Sequence, residues 1–392
     1  MINKKIISII SIISIISILF VLLFIFNDNN KCIDTDKYID TDVIDNSDYY
    51  NEKYELYEEM CYNFVNEKLS KEYGVVYTNY LVSDKTLNYS TGHEILSESI
   101  GLMMLYAART NNVNMFDNAY DYMNKNMFKE DNGILWRAEM VDNSMANCNA
   151  SIDDLRIIRA LIEGKKIFNT DKYDDSIISL SSDVLNNLTI DNYLISSHSF
   201  GDEFKNLNIE IAYLDLYTIK LLSSFDKRWN LLYNNSIVII KSSRLPNIPL
   251  YYKSFDISKN EYKIDSDINM LDSLITMLHL SEVDLLGDEE YDWLKNSFHV
   301  NNKLYGHYYL DGETTYDYES SAVYAIAARI ADEKNDTVFY DEIMKKLLNI
   351  QVKDNQSQIF GSFGNDDNLE VFSYDNLQSL VAFRRKYDKT SK

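Results

Sequence analysis

The chain has 392 residues, 46% of them hydrophobic and 25% charged, with a formal net charge of −23. So acidic a surface repels nucleic acid and anionic lipid headgroups, which excludes both as partners and leaves neutral or cationic ligands. Three cysteines, Cys32, Cys61 and Cys148, and five histidines show no metal-ligand spacing, so neither a metal nor another cofactor is expected. Cys61 and Cys148 could pair in an oxidising compartment, but nothing local demands it.

Lys4 and Lys5 precede an uncharged run from Ile6 to Phe26 rich in Ile, Leu, Phe and Ser. At roughly 1.5 Å per helical residue such a run crosses a hydrocarbon core of about 30 Å. The exit Phe24-Ile25-Phe26-Asn27-Asp28 lacks the small residues of a cleavage site, and the flanking lysines favour the cytoplasm. Residues 1–26 therefore read as an uncleaved signal anchor, which places the rest of the chain outside the cell. Residues 27–50, rich in Asp, Asn and Lys, read as a stalk. No Pro/Gly/Ser-rich linker interrupts residues 51–388, so they read as one domain.

That domain shows twelve amphipathic runs, near 51–71, 93–110, 113–127, 151–168, 171–188, 208–225, 227–243, 267–284, 288–298, 317–332, 337–351 and 372–387. Short and long connections roughly alternate between them. Both prolines, Pro246 and Pro249, fall in one inter-helix loop, as an all-helical chain requires. Twelve helices in six pairs without a repeat signature suggest an (α/α)6 barrel, or toroid, with its mouth built from the longer loops. The predicted fold class is thus all-α, preceded by one N-terminal transmembrane helix.

Within the second run, Glu98 falls about two turns after a start marked by the capping-box spacing Thr91-x-x-Glu94. Ile95, Ser99, Leu102, Met103 and Tyr106 recur at helical intervals around it. Apolar neighbours penalise the charged form of a carboxyl, which suits it to general-acid work. Ser151-x-x-Asp154 is a second capping box; with Asp154 capping, Asp153 is left to face a cavity. Asp267 reads either as the N-cap of the 267–284 helix or as a functional acid, with Asp265 before it and Asp272 one turn on. Trp136 stands out as a flat apolar face; Tyr308 and the segments 304–309 and 316–318 are further aromatic candidates among 31 tyrosines, and His307 reads as hydrogen-bonding support.

Three of these stretches resemble glycoside hydrolase family 8. Ser97 to Met104 is similar to the family's S-E-G-Q-G-Y-G-M signature, 131–137 to its G-L-x-x-W segment, and 149–157 to A-T-D-A-D-L-D-I-A. Order and spacing match, and the likeness points to membrane-anchored members that accompany exopolysaccharide synthesis. It implies an (α/α)6 barrel and metal-free inverting hydrolysis of a β-1,4-linked glycan, with Glu98 as acid. The base would sit in the segment 262–269, which lacks the family's Arg, at Asp267 or Asp265. The sugar-distorting carboxylate falls at Asp153 or Asp154 according to the register chosen, and Trp136 and Tyr308 would contact substrate. The implied partners are a polysaccharide substrate, the membrane through residues 6–26, and an exopolysaccharide synthase complex. Two other readings remain at this level: an inactive glycan-binding scaffold, and a polysaccharide lyase, against which the lack of a basic cluster speaks.

Overall fold

Among the described residues, six helices are buried nearly all round and six on one face only, and this difference sorts them into two rings. The computed structural model describes residues 52–83, 90–138, 147–201, 205–263, 265–315 and 318–384; the expected anchor and stalk lie outside these. Among the described residues, no helix is long and apolar enough to cross a membrane.

The inner helices are α2 (Ser97–Arg109), α4 (Ser151–Phe168), α6 (Leu216–Leu222), α8 (Met270–Ser281), α10 (Ser321–Glu333) and α12 (Ser373–Phe383). Each packs on the next, and α12 returns to α2, so the ring closes. The outer helices are α1 (Glu55–Phe64), α3 (Val113–Asn126), α5 (Asp174–Asn187), α7 (Lys227–Ser242), α9 (Asp288–Asn301) and α11 (Thr337–Ile350). Behind α2, α4, α6 and α10 lie α3, α5, α7 and α11, and α1 backs α12. This is the expected toroid.

The two ends of the ring differ. Chain leaving an inner helix turns tightly through Asn111, Asn169, Asp284 or Asn335, each at positive φ. Asn and Asp tolerate that left-handed conformation better than other non-glycine residues. Chain entering an inner helix does so by a longer path, and the eleven short strands of the described residues all lie there. These are β1 (Ser70–Glu72), β2 (Val75–Val76), β3 (Phe128–Lys129), β4 (Gly133–Ile134), β5 (Thr189–Ile190), β6 (Tyr193–Leu194), β7 (Asn208–Glu210), β8 (Ser254–Asp256), β9 (Glu261–Lys263), β10 (Asp267–Asn269) and β11 (His307–Tyr309). They form hairpins, a β7-β8-β9 sheet and a β10–β11 pair. The mouth therefore sits over the inner helices' N-termini, where backbone N–H groups and the helix dipole favour negative charge.

Several local expectations change. The run expected as a helix over 208–225 divides into β7 and α6, because β7 pairs with β8 and Asp215 caps the helix that follows. The Asp215 carboxylate accepts from the Thr218 N–H at 3.0 Å and from its hydroxyl at 2.6 Å. Residues 51–71 likewise break into α1, a π-turn over Val65–Leu69 and β1. The Thr91–Glu94 box does not form: Glu94 accepts from Gly92 N at 2.8 Å, and extended chain continues to Leu96. Backbone bonds with the next hairpin hold that extension, Ser97 N donating to Trp136 O at 3.0 Å and Ala138 N to Ile95 O at 3.0 Å. Glu98 consequently stands in the first turn of α2. Neither does Ser151 cap α4, whose N-cap Ala150 makes no side-chain bond. No disulfide joins Cys61 to Cys148; the buried Cys61 thiol faces Asn376 instead.

Candidate active site

Every residue of α2 is buried except Glu98, which is half-buried at the mouth. Close packing of α2 on α4 needs Gly101, since a Cβ there would come within 3.1 Å of the Arg156 stem. Arg156 then lies under the first turn of α2 and donates to Asp153 Oδ1 at 2.6 Å. The Ser97 hydroxyl donates to Asp153 Oδ2 at 2.7 Å, which ties the starts of the two helices together. Glu98 faces this pair. Burial pushes its carboxyl up to about 8; the like charges of Asp153 and Asp375 add to the rise, and Arg156 opposes it. The helix dipole would favour the anion, but loss of water outweighs it here.

A cleft of about 740 Å³ opens above these groups. Its lining includes Glu98, Trp136, Asp153, Tyr213, Asp272 and Tyr374. Trp136 lies over the buried Arg137 guanidinium, 4.9 Å from ring centroid to carbon, which fixes the indole at the cleft edge. Tyr374, from the first turn of α12, has its hydroxyl pKa raised by burial and by Glu98. Asp272 stands in the first turn of α8 behind the N-cap Asn269. Its carboxyl pKa is raised by burial, with Lys253 and His307 lowering it and Asp265 raising it. Glu98 and Asp272 thus project from the first and fourth of six consecutive inner helices, which puts them on facing walls.

The acids expected as base sit elsewhere. Asp267 and Asp265 line an adjoining pocket of about 150 Å³ that shares Asp272, Asn269 and Lys253 with the cleft. Asp267 belongs to β10 and does not cap α8; its carboxylate lies 3.0 Å from His307 Nδ1. Asp265 pairs with Lys263 at 3.1 Å. On this wall the acid that lines the cleft is Asp272.

Asp154, neighbour to Asp153, turns away from the cleft. It is 1% exposed and accepts from Asn149 at 3.0 Å beside Gly133 of the β3–β4 hairpin. Burial and the charge of Asp153 raise its pKa well above the ordinary range. Tyr308 offers no face to substrate either: it is 2% exposed, edge-on to Trp293 at 5.3 Å, and its hydroxyl meets Tyr305 N at 3.4 Å. Strand alternation explains this, since Ile268 and Tyr308 pair on the inward face of β10–β11.

One set of potential metal ligands comes together among the described residues: Asp215, His279 and Glu282, all within 4.8 Å of one another. Arg159 already donates to Glu282 at 2.7 Å and Arg329 lies 3.8 Å away. With these cations in place the set reads as part of an ion network in the bore, beneath the cleft.

Reasoning from sequence noted Asp272 but favoured Asp267 and Asp265 over it, and did not find Lys253, Glu210, Tyr213 and Tyr374 as lining residues of the cleft. A signal was present. Ser151-Ile152-Asp153, Met270-Leu271-Asp272 and Ser373-Tyr374-Asp375 each open an inner helix with an acid at its third position.

Among the described residues twelve helices close a double ring with carboxyls gathered at one mouth, the (α/α)6 architecture that toroidal glycoside hydrolases share. The profile of glycosyl hydrolases family 8 matches residues 79–244. A novel alpha-amylase from Clostridium perfringens is 32% identical, the match covering 85% of this chain and 98% of that one, with a TM-score of 0.78. PssZ from Listeria monocytogenes is 19% identical over 83% of this chain and 94% of its own, with a TM-score of 0.64. The putative lipoprotein YdaJ of Bacillus subtilis (strain 168) is 25% identical over 331 residues, 80% of this chain and 86% of that protein. The chain belongs to glycoside hydrolase family 8, and is an inverting glycoside hydrolase acting on polysaccharide.

Proposed function

We propose that this protein cleaves a 1,4-linked polysaccharide outside the cell, with Glu98 as general acid and Asp272, in place of Asp267 or Asp265, as general base. The supporting observation is that Glu98 and Asp272 line one cleft from facing inner helices. Glu98, neutral at pH 7 with a pKa near 8, donates its proton to the departing glycosidic oxygen. Asp272 takes a proton from water on the opposite face of the sugar, and that water attacks the anomeric carbon. The C–O bond to the leaving sugar breaks as the C–O bond to water forms, so the configuration inverts. Carboxyls that share such a task stand roughly 6.5–9.5 Å apart to leave room for the water.

Asp153, held by Ser97 and Arg156, would accept from a sugar hydroxyl and keep the ring distorted, while Trp136 supplies the stacking face. Residues 6–26 would anchor the chain and 27–50 would space residues 51–388 from the membrane. The name of the Bacillus relative, a putative lipoprotein, also points to the cell surface. There an exported exopolysaccharide, with its synthase complex nearby, is the substrate that fits.

The linkage proposed is β-1,4, from the motifs around Glu98 and Trp136. A second reading, α-1,4-linked glucan, is favoured by the alpha-amylase relative at 32% identity. Full-length protein assayed on carboxymethyl-cellulose and on soluble starch separates them, with reducing ends counted and the first-formed anomer read by NMR. Inverted product from cellulose supports the first reading and inverted product from starch the second. Retained configuration, or unsaturated ends absorbing in the ultraviolet, overturns the Glu98–Asp272 mechanism. Binding of both polymers without product would overturn both linkage readings.

A further inference from the structure

Two cations line the cleft, and they are used differently. Arg156 is bound to Asp153 on the α4 wall. Lys253 stands on the α8 wall, one residue ahead of β8, where it lines both the cleft and the adjoining pocket along with Asp272. Its place is set by backbone: its carbonyl accepts from Ile211 N at 2.9 Å, and the β7–β8 register puts Glu210 opposite the next residue, Ser254. Lys253 thereby comes near both Glu210 and Asp272, and its charge lowers the pKa of each.

We infer that Lys253 is a positioning residue for the reaction: its ammonium keeps the Asp272 carboxylate charged, and so able to accept a proton, once glycan fills the cleft. This rests on Asp272 being the base. Burial raises the Asp272 pKa, and a base that already carries a proton cannot take one from water.

Of the other groups near Asp272, His307 alone acts in the same direction, and less than Lys253. Asp265 and Glu210 are like charges, and Lys263 is paired with Asp265. His307 is engaged with Asp267, and Tyr213 is a neutral phenol whose own pKa is raised. Lys253 is exposed at the cleft, where water screens it. A bound sugar chain displaces that water, and the attraction between ammonium and carboxylate then strengthens.

The test uses Lys253→Met and Lys253→Arg in the full chain, both first checked by thermal melting. The pH dependence of kcat/KM is measured on whichever of carboxymethyl-cellulose and soluble starch the unmutated protein cleaves. Lys253→Met should move the acid limb upward by about one pH unit, roughly a tenfold loss on that limb with less than about twofold at the plateau, and Lys253→Arg should restore it. A loss equal at all pH with raised KM would make Lys253 a substrate-binding group and overturn the inference. So would an unmoved limb, provided that the Asp272 carboxyl is also unmoved when titrated by ¹³C NMR and assigned by difference against Asp272→Asn. Should the carboxyl titration move while the kinetic limb stays, the action of Lys253 on Asp272 stands and the assignment of Asp272 as base falls.

Discussion

At the mouth of the toroid Glu98, Asp153, Glu210 and Asp272 line the cleft against Arg156 and Lys253. Deeper in the same helices the charges are matched. Arg159 Nε meets Glu163 at 2.9 Å and its Nη1 meets Glu282 at 2.7 Å; Arg109 lies 3.5 Å from Glu163, and Arg329 donates to Gln378 at 2.8 Å. This network joins α2, α4, α10 and α12 to the residue that ends α8. Burial alone would raise the Glu282 carboxyl, but Arg159, His279 and Arg329 hold it well below the ordinary range. Burial raises Glu98 as well, yet there two further carboxylates add to the rise, and its pKa reaches about 8. Desolvation acts alike in both tiers; the sign of the neighbours decides the outcome. Paired charges fasten the barrel, and carboxyls left in excess are free to exchange protons.

The strongest attempt to break this contrast is Glu98→Gln. Removing a general acid costs about 10³-fold in kcat. The same change should stabilise the fold at neutral and alkaline pH. A carboxyl with a folded pKa near 8 and an ordinary value of 4.5 binds more protons when folded. Wild-type stability therefore falls as pH rises through that window, and the amide is spared the fall. Melting curves at about pH 5 and about pH 9 check the sign. A variant melting below wild type at the higher pH would mean that Glu98 is paired like the acids beneath it.

Arg159→Met asks the converse question in the bore. It fills similar space but leaves Glu163 and Glu282 short of their main partner, and breaking a buried pair costs about 3–5 kcal/mol. Denaturant unfolding measures the loss, while activity per folded molecule should stay within about twofold. An Arg159→Met protein of wild-type stability would show that the lower network does not hold the ring. A folded but inactive one would show that the two tiers are not separable.

The double ring was legible because it rests on hydrophobic periodicity, which survives in any helix that buries a face, as in the expected and observed span 151–168 of α4. The site was legible only in part. Glu98, Asp153 and Trp136 lie in contiguous motifs and do line the cleft. Asp272 and Lys253 share a cleft only because the chain just ahead of β8 lies against α8, where Tyr251 N donates to the Ser273 hydroxyl at 3.4 Å, and no local spacing records that. Asp154 and Tyr308 were misplaced for a common reason. Each is one residue from a cleft or pocket residue, Asp153 or His307, and a single step along a helix or strand turns the side chain to another face. The unformed caps at Thr91 and Ser151 share a second cause. Hairpin pairing pulls the preceding chain into an extended form, and tertiary hydrogen bonds override local capping chemistry there.

Trp136 offers the finest test of the contrast, because it asks whether the mouth binds by its apolar parts and reacts by its acids. The indole is fixed from behind by Arg137 and lines the cleft. A pyranose stacked on it gains on the order of 0.5–1.5 kcal/mol beyond the area it buries. Trp136→Ala should therefore raise KM by roughly two- to tenfold and leave kcat within about twofold, because an interaction equal in ground and transition states changes binding alone. A fall in kcat at unchanged KM would place Trp136 with the catalytic carboxyls, as a group that shapes the distorted sugar. Since Ser97 N bonds to Trp136 O at 3.0 Å, the backbone that sets the first turn of α2 should persist in the variant, and an unshifted alkaline limb near pH 8 would confirm that Glu98 has not moved.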